Sequence, residues 1–135
     1  MKTWISLYNE AKKKLNTEII SPFIEYGNTS CAILGSNDKI YSGLSITSNT
    51  GINSSAEKSA VTAMINDLEN NILRIVILNE LEEIIMPAEK SLEYLLELCE
   101  NSDEVEVLVN LEEEKSIKLS SLIPDWWGTF RLKKN

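Results

Sequence analysis

Apolar side chains recur at Trp4, Ile5, Leu7, Tyr8, Ala11 and Leu15. That spacing predicts a helix over Thr3 to Asn16. Lys12-Lys13-Lys14 falls in its last turn, where positive charge complements the helix dipole; the run reads as a solvated helix end. Two apolar-rich stretches, Thr29 to Leu34 and Lys39 to Ile46, flank Gly35-Ser36-Asn37-Asp38. Turn formers between two such runs predict a β-hairpin. After the polar stretch Thr47 to Asn53, Ser54 or Ser55 suits a helix N-cap, with Glu57 in the first turn. Ala56, Ala60, Val61, Ala63, Met64, Ile65 and Leu68 then mark a helix that ends near Asn70-Asn71.

Leu73 to Leu78 is almost continuously apolar, the pattern of a central strand covered on both faces. Pro87 is tolerated at a helix start, and Leu92, Leu95, Leu96 and Cys99 continue an apolar stripe. Val105, Val107 and Val109 alternate as in a strand, and Ile117 and Leu119 do so after Glu112-Glu113-Glu114. The expected order is α-β-β-α-β-α-β-β. Strands alternating with helices indicate a three-layer α/β/α fold around a five-stranded mixed sheet. At 135 residues, with no linker, internal repeat or low-complexity segment, the chain is expected to form one domain over 1–135.

Charge narrows the partners. A formal charge of −8 repels phosphate backbones and anionic lipid, which argues against nucleic-acid and membrane partners. No segment resembles a signal peptide or a membrane span, so a soluble, cytoplasmic protein is expected. Cys31 and Cys99 sit among apolar residues and read as buried, reduced thiols. Histidine is absent, which removes the usual neutral-pH general base and the usual nitrogen ligand for zinc.

Four short pieces carry more information: Gly43-Leu44-Ser45-Ile46-Thr47, Ser55-Ala56-Glu57, Pro87-Ala88-Glu89-Lys90-Ser91 and Ser121-Leu122-Ile123-Pro124. In this order and spacing, over about Tyr26 to Trp127, the chain resembles the cytidine deaminase family. Members carry Cys or His before Ala-Glu, Pro-Cys-x-x-Cys at the second helix, and Leu-Leu-Pro near the C-terminus. The resemblance implies a zinc ion whose bound water attacks cytosine, with a glutamate moving the protons.

Carried across by position, the three metal ligands become Ser55, Ala88 and Ser91, and the proton shuttle becomes Glu57. A serine hydroxyl is a poor zinc ligand and alanine is none, so no zinc or other cofactor is expected. The family's ribose-holding Asn-x-Glu-Asn corresponds to Ser45, Thr47 and Ser48. The expected ligand pocket is therefore Ser45, Thr47, Ser55, Ala88, Lys90 and Ser91, with Glu57 as the candidate catalytic residue. Glu57 has an alternative role as a first-turn acid that stabilises the helix dipole. Lys90 either pairs with Glu57 or forms a solvated pair with Glu89.

The sequence thus points to a catalytically silent cytidine deaminase-like protein with a binding or assembly role. The alternative is an enzyme, either a nucleoside or base deaminase or one using Glu57 in another reaction. Expected partners are a nucleoside-like small molecule and further copies of the chain, as dimer or tetramer. Met64, Leu68, Leu92 and Leu96 are the apolar helix positions expected to meet a neighbour. Trp126-Trp127 either caps the core or enters such a contact.

Overall fold

The structure, a computed structural model, describes residues 1–16 and 18–132. Helix α1 spans Trp4–Lys14, and Thr3 caps it by accepting the Ser6 N–H at 3.2 Å. Its buried stripe is Trp4, Leu7 and Ala11. Strands β1 (Glu18–Ser21), β2 (Ile24–Gly35) and β3 (Ile40–Ser48) follow, then α2 (Ala56–Asn66). β4 (Ile72–Leu78), α3 (Glu89–Leu98), β5 (Glu106–Asn110) and β6 (Lys115–Lys118) complete the main elements. A 3-10 turn (Leu119–Leu122) and a short helix α4 (Thr129–Leu132) close the described chain.

The sheet has six strands, not the expected five. The order β1-β2-β4-β5-β6 is completed by β3, which lies along the other edge of β2. The unexpected strand is β1. Its two isoleucines are both exposed, so burial leaves no period-two pattern to read. Pairing with β2, through Glu18↔Tyr26 and Ser21↔Ile24, defines it instead. For the same reason β2 begins at Ile24, before the expected Thr29. Its register shifts between Tyr26 and Ser30, around Gly27 with φ 92°.

β4 and β5 are parallel, with α3 as the crossover between them; the other pairings are antiparallel. Alternation along β2 and β4 divides the interior into two cores. Cys31, Ile33, Ile75 and Ile77 face α2 and α3, whereas Ala32, Leu34, Val76 and Leu78 face α1. Helices on both faces of one mixed sheet make the three layers. Each fully buried isoleucine or leucine contributes roughly 1.5–3 kcal/mol relative to exposure, which makes β2 and β4 the anchor of the fold.

Gly43 sets how closely α2 approaches β3. A Cβ there would collide with the backbone of Ser59 and Ala60. The Ser59 hydroxyl donates to the Leu44 carbonyl at 2.9 Å and fixes the same contact. Among the described residues, no helix is long and apolar enough to cross a membrane.

Candidate functional site

The N-termini of α2 and α3 converge near the carboxyl end of β4. Ile85 donates its N–H to the Ile77 carbonyl at 2.9 Å, and Ile84 bridges Leu78. This lays residues 84–88 beside β4 and delivers the start of α3 to the start of α2. A cavity of about 190 Å³ lies between them. It is lined by Thr29, Ser45, Ser55, Ala56 and Glu57 on one side, and by Ile77, Ile85, Met86, Ala88 and Ser91 on the other.

Five of the seven sequence-derived site residues share this cavity: Ser45, Ser55, Glu57, Ala88 and Ser91. Thr47 does not. It lies two residues further along β3, about 6.6 Å away at strand rise, and lines a separate shallow groove with Phe23, Ile24 and Glu25. Lys90 does not line the cavity either; it is exposed on α3, and no ion pair joins it to Glu57 among the described residues. Ser48 binds the Asn53 side chain through its N–H and the Ile52 carbonyl through its hydroxyl. Thr29, Ile77, Ile85 and Met86 were not singled out from the sequence. Only Met86, beside Pro87, stood next to a recognisable motif.

Each polar wall has a definite state. Ser55 caps α2, its Oγ accepting the Lys58 N–H at 3.1 Å. Ser45 Oγ accepts the Thr29 N–H at 3.0 Å, tying β3 to the irregular part of β2. Glu57 is only 4% exposed and Ser91 8%. Neither side chain has a hydrogen-bond partner among the described residues. Ala88 is the N-cap residue of α3, so that helix starts without a side-chain cap. Behind the cavity lies Cys31, whose thiol pKa is pushed well up by burial and further by the Glu57 charge.

This donor set does not fit zinc. One hydroxyl is engaged as a helix cap, one position has no donor atom, and the third offers a serine. Among the described residues no three His, Cys, Asp or Glu side chains converge where they could hold a metal ion. Zinc needs three or four good nitrogen, sulfur or carboxylate ligands.

Solved structures share the whole architecture. Cytidine deaminase from Mycobacterium tuberculosis superposes with a TM-score of 0.76 over 95% of this chain and 99% of that one, at 18% identity. The fold is that of cytidine deaminases. The enzyme from Mycobacterium leprae gives 0.74 at 15% identity, covering 93% and 100% of the two chains. That from Bacillus anthracis gives 0.68 at 16%, covering 94% and 91%. No protein-family model and no curated protein matches the sequence. In this cytidine deaminase-like fold, Trp126 is buried in the core and Trp127 lies exposed, donating its indole N–H to Glu93 at 3.2 Å.

Proposed function

We propose that this protein is a zinc-free, non-deaminating form of the cytidine deaminase fold that uses its retained cavity for binding. The observation that carries this reading is the state of the three ligand positions. Ser55 caps its own helix, Ala88 has no donor, and Ser91 is a single buried hydroxyl. Without a metal, water keeps a pKa near ~15.7 instead of ~7, so hydroxide is scarce at neutral pH. Glu57 then acts as a polar wall of the cavity and as a first-turn acid of α2.

Elemental analysis and an ammonia-release assay test the reading together. We expect sub-stoichiometric zinc and no ammonia from cytidine or deoxycytidine above the level of a Glu57→Gln variant. Stoichiometric zinc, or Glu57-dependent ammonia release, would establish the enzyme alternative instead.

Self-association is a second reading, favoured by one specific feature. Met64, Leu92 and Leu96, expected on outward helix faces, are buried in the core; of the four positions expected to meet a neighbour only Leu68 is exposed. Ile19, Ile20, Phe23, Ile24 and Ile46 are exposed on β1–β3 and Ile52 just after them, whereas Ile5, Ile65, Leu81, Val109 and Trp127 are exposed singly elsewhere. An apolar patch of this kind on a charged protein marks a contact surface, and a second copy is the simplest symmetric occupant. Sedimentation equilibrium should give a mass that is a multiple of 15.2 kDa. Ile19→Lys with Phe23→Lys should reduce it to the monomer; a wild-type monomer at micromolar concentration would remove this reading.

A further inference from the structure

A second cavity, of about 430 Å³, lies between the turn that follows α3 and the closing segment of the chain. It shares no lining residue with the cavity between the starts of α2 and α3. Its floor is apolar. Leu96 and Trp126 are 2% and 7% exposed and belong to the core that α2 and α3 cover, and Ile123 packs beside them. Pro124 continues this wall to the surface.

Trp126 leaves one group unsatisfied. Its indole N–H is buried and has no acceptor among the described residues. The ring is held in place: it packs so closely on Gly128 that a Cβ there would strike its six-membered edge. A buried donor without an acceptor carries an uncompensated desolvation cost, and an oxygen brought into the cavity that Trp126 lines would relieve it.

The rim differs from the floor. Glu100 and Asp103 are exposed there, and among the described residues no basic side chain lines the cavity. Two carboxylates on a chain of formal charge −8 attract a cation and repel an anion. The Ser121 and Thr129 hydroxyls already donate to the Lys118 and Trp126 carbonyls, at 2.6 and 2.9 Å. Ser102 and Ser120, tied together by the Ser120 N–H to the Ser102 carbonyl at 3.1 Å, add two hydroxyls that either donate or accept. Floor, indole and rim together select an apolar body, an acceptor at depth and a positive charge at the mouth.

We propose that this cavity binds a small organic amine. Its ammonium lies at the Glu100 and Asp103 rim, its apolar body rests on Leu96, Ile123 and Pro124, and a hydroxyl or carbonyl oxygen accepts the Trp126 indole N–H. The volume corresponds to roughly fourteen waters at ~30 Å³ each, room for an aromatic or alicyclic amine of about ten heavy atoms. This site is independent of the reading proposed above for the α2–α3 cavity.

Titration of the full-length, isotope-labelled protein, followed by NMR through the assigned indole N–H signals of its three tryptophans, tests it. Tyramine is the probe. Phenethylamine lacks its oxygen, and 4-hydroxyphenylacetate carries a carboxylate in place of its ammonium. We expect saturable tyramine binding that moves the Trp126 signal downfield, and further than those of Trp4 and Trp127. Tyramine should bind about five- to tenfold tighter than phenethylamine, the effect of one hydrogen bond to a buried donor. It should bind at least about tenfold tighter than 4-hydroxyphenylacetate.

Two variants separate the contacts. Trp126→Phe should erase the preference for tyramine over phenethylamine. Glu100→Gln with Asp103→Asn, both at exposed positions, should erase the preference over the acid at an unchanged melting temperature. Should Trp126→Phe fail to fold, the wild-type indole shift and the second variant decide. The proposal is overturned if tyramine binding does not saturate, if either comparison compound binds as tightly, or if the Trp126 signal stays in place. It is equally overturned if a folded Trp126→Phe keeps the preference over phenethylamine, or if the second variant keeps the preference over the acid.

Discussion

Cys31 on β2 is buried beneath Glu57 of α2, and burial first, then the Glu57 charge, push its thiol pKa well up. Cys99 behaves alike, its thiol raised from 9.0 to about 12 by burial alone.

These raised values set the alkaline behaviour. Below the unfolded-state pKa of about 8.5 both states hold their thiol protons, and the native stabilisation is complete. Above it the unfolded chain releases protons that the folded chain keeps, so stability falls as pH rises toward the folded values. The expected loss is up to ~1.4 kcal/mol per pH unit for each thiol. Urea denaturation between pH 8 and 10 checks this, and Cys31→Ala with Cys99→Ala should flatten the profile. A profile equally steep in the double variant would contradict it.

Leu68 occupies a position built for glycine. It follows Asp67, the C-cap of α2, with φ 64°, and its side chain is 95% exposed. The Glu69 N–H reaches the Met64 carbonyl at 3.1 Å and the Leu68 N–H the Ile65 carbonyl at 2.9 Å, which is a Schellman closure. A left-handed L-residue costs roughly 1–2 kcal/mol, partly offset in glycine by its freer unfolded chain. Leu68→Gly should therefore stabilise the protein by about 0.5–1 kcal/mol, seen as a higher urea midpoint with an unchanged slope.

Gly43 should tolerate no side chain. Gly43→Ala drives a methyl into the α2 backbone at Ser59 and Ala60, so α2 must shift or the core must open. Overpacking of this kind costs about 1–3 kcal/mol. The same denaturation experiment measures it, as a lower urea midpoint than wild type with an unchanged slope.

Restoring thiolates tests the assignment of the ligand positions. The triple variant Ser55→Cys, Ala88→Cys, Ser91→Cys should bind one zinc per chain by elemental analysis. Replacing the Ser55 cap should lower the stability of the zinc-free form by ~1 kcal/mol. A folded triple variant that takes up no zinc would show that these three side chains do not converge. Deaminase activity is not expected to return in full, because Ser45 in the cavity wall offers only a hydroxyl already bound to the Thr29 N–H, and Thr47 lies in a separate groove.

What the sequence by itself determined was the order of the main elements apart from β1 and α4, and the donor atoms available near the starts of α2 and α3. Periodicity is a local property, so the apolar stripe of α1, the two-sided run of β4 and the helix starts near Ser55 and Ala88 were legible from neighbouring residues. The donor chemistry of Ser55, Ala88 and Ser91 was legible too, because serine offers only a hydroxyl and alanine no donor atom wherever the chain runs. Tertiary structure decided the rest. β1 exists through pairing with β2, with no burial pattern of its own. Met64, Leu92 and Leu96 went inward because α2 and α3 share one face of the sheet and cover each other's stripes. Ser45 lines the cavity and Thr47 does not because the two lie about 6.6 Å apart along one strand, and Thr47 falls in the neighbouring groove with Phe23, Ile24 and Glu25. Lys90 is exposed, not paired with Glu57, although it stands one residue from buried Ser91, because successive residues on a helix point about 100° apart.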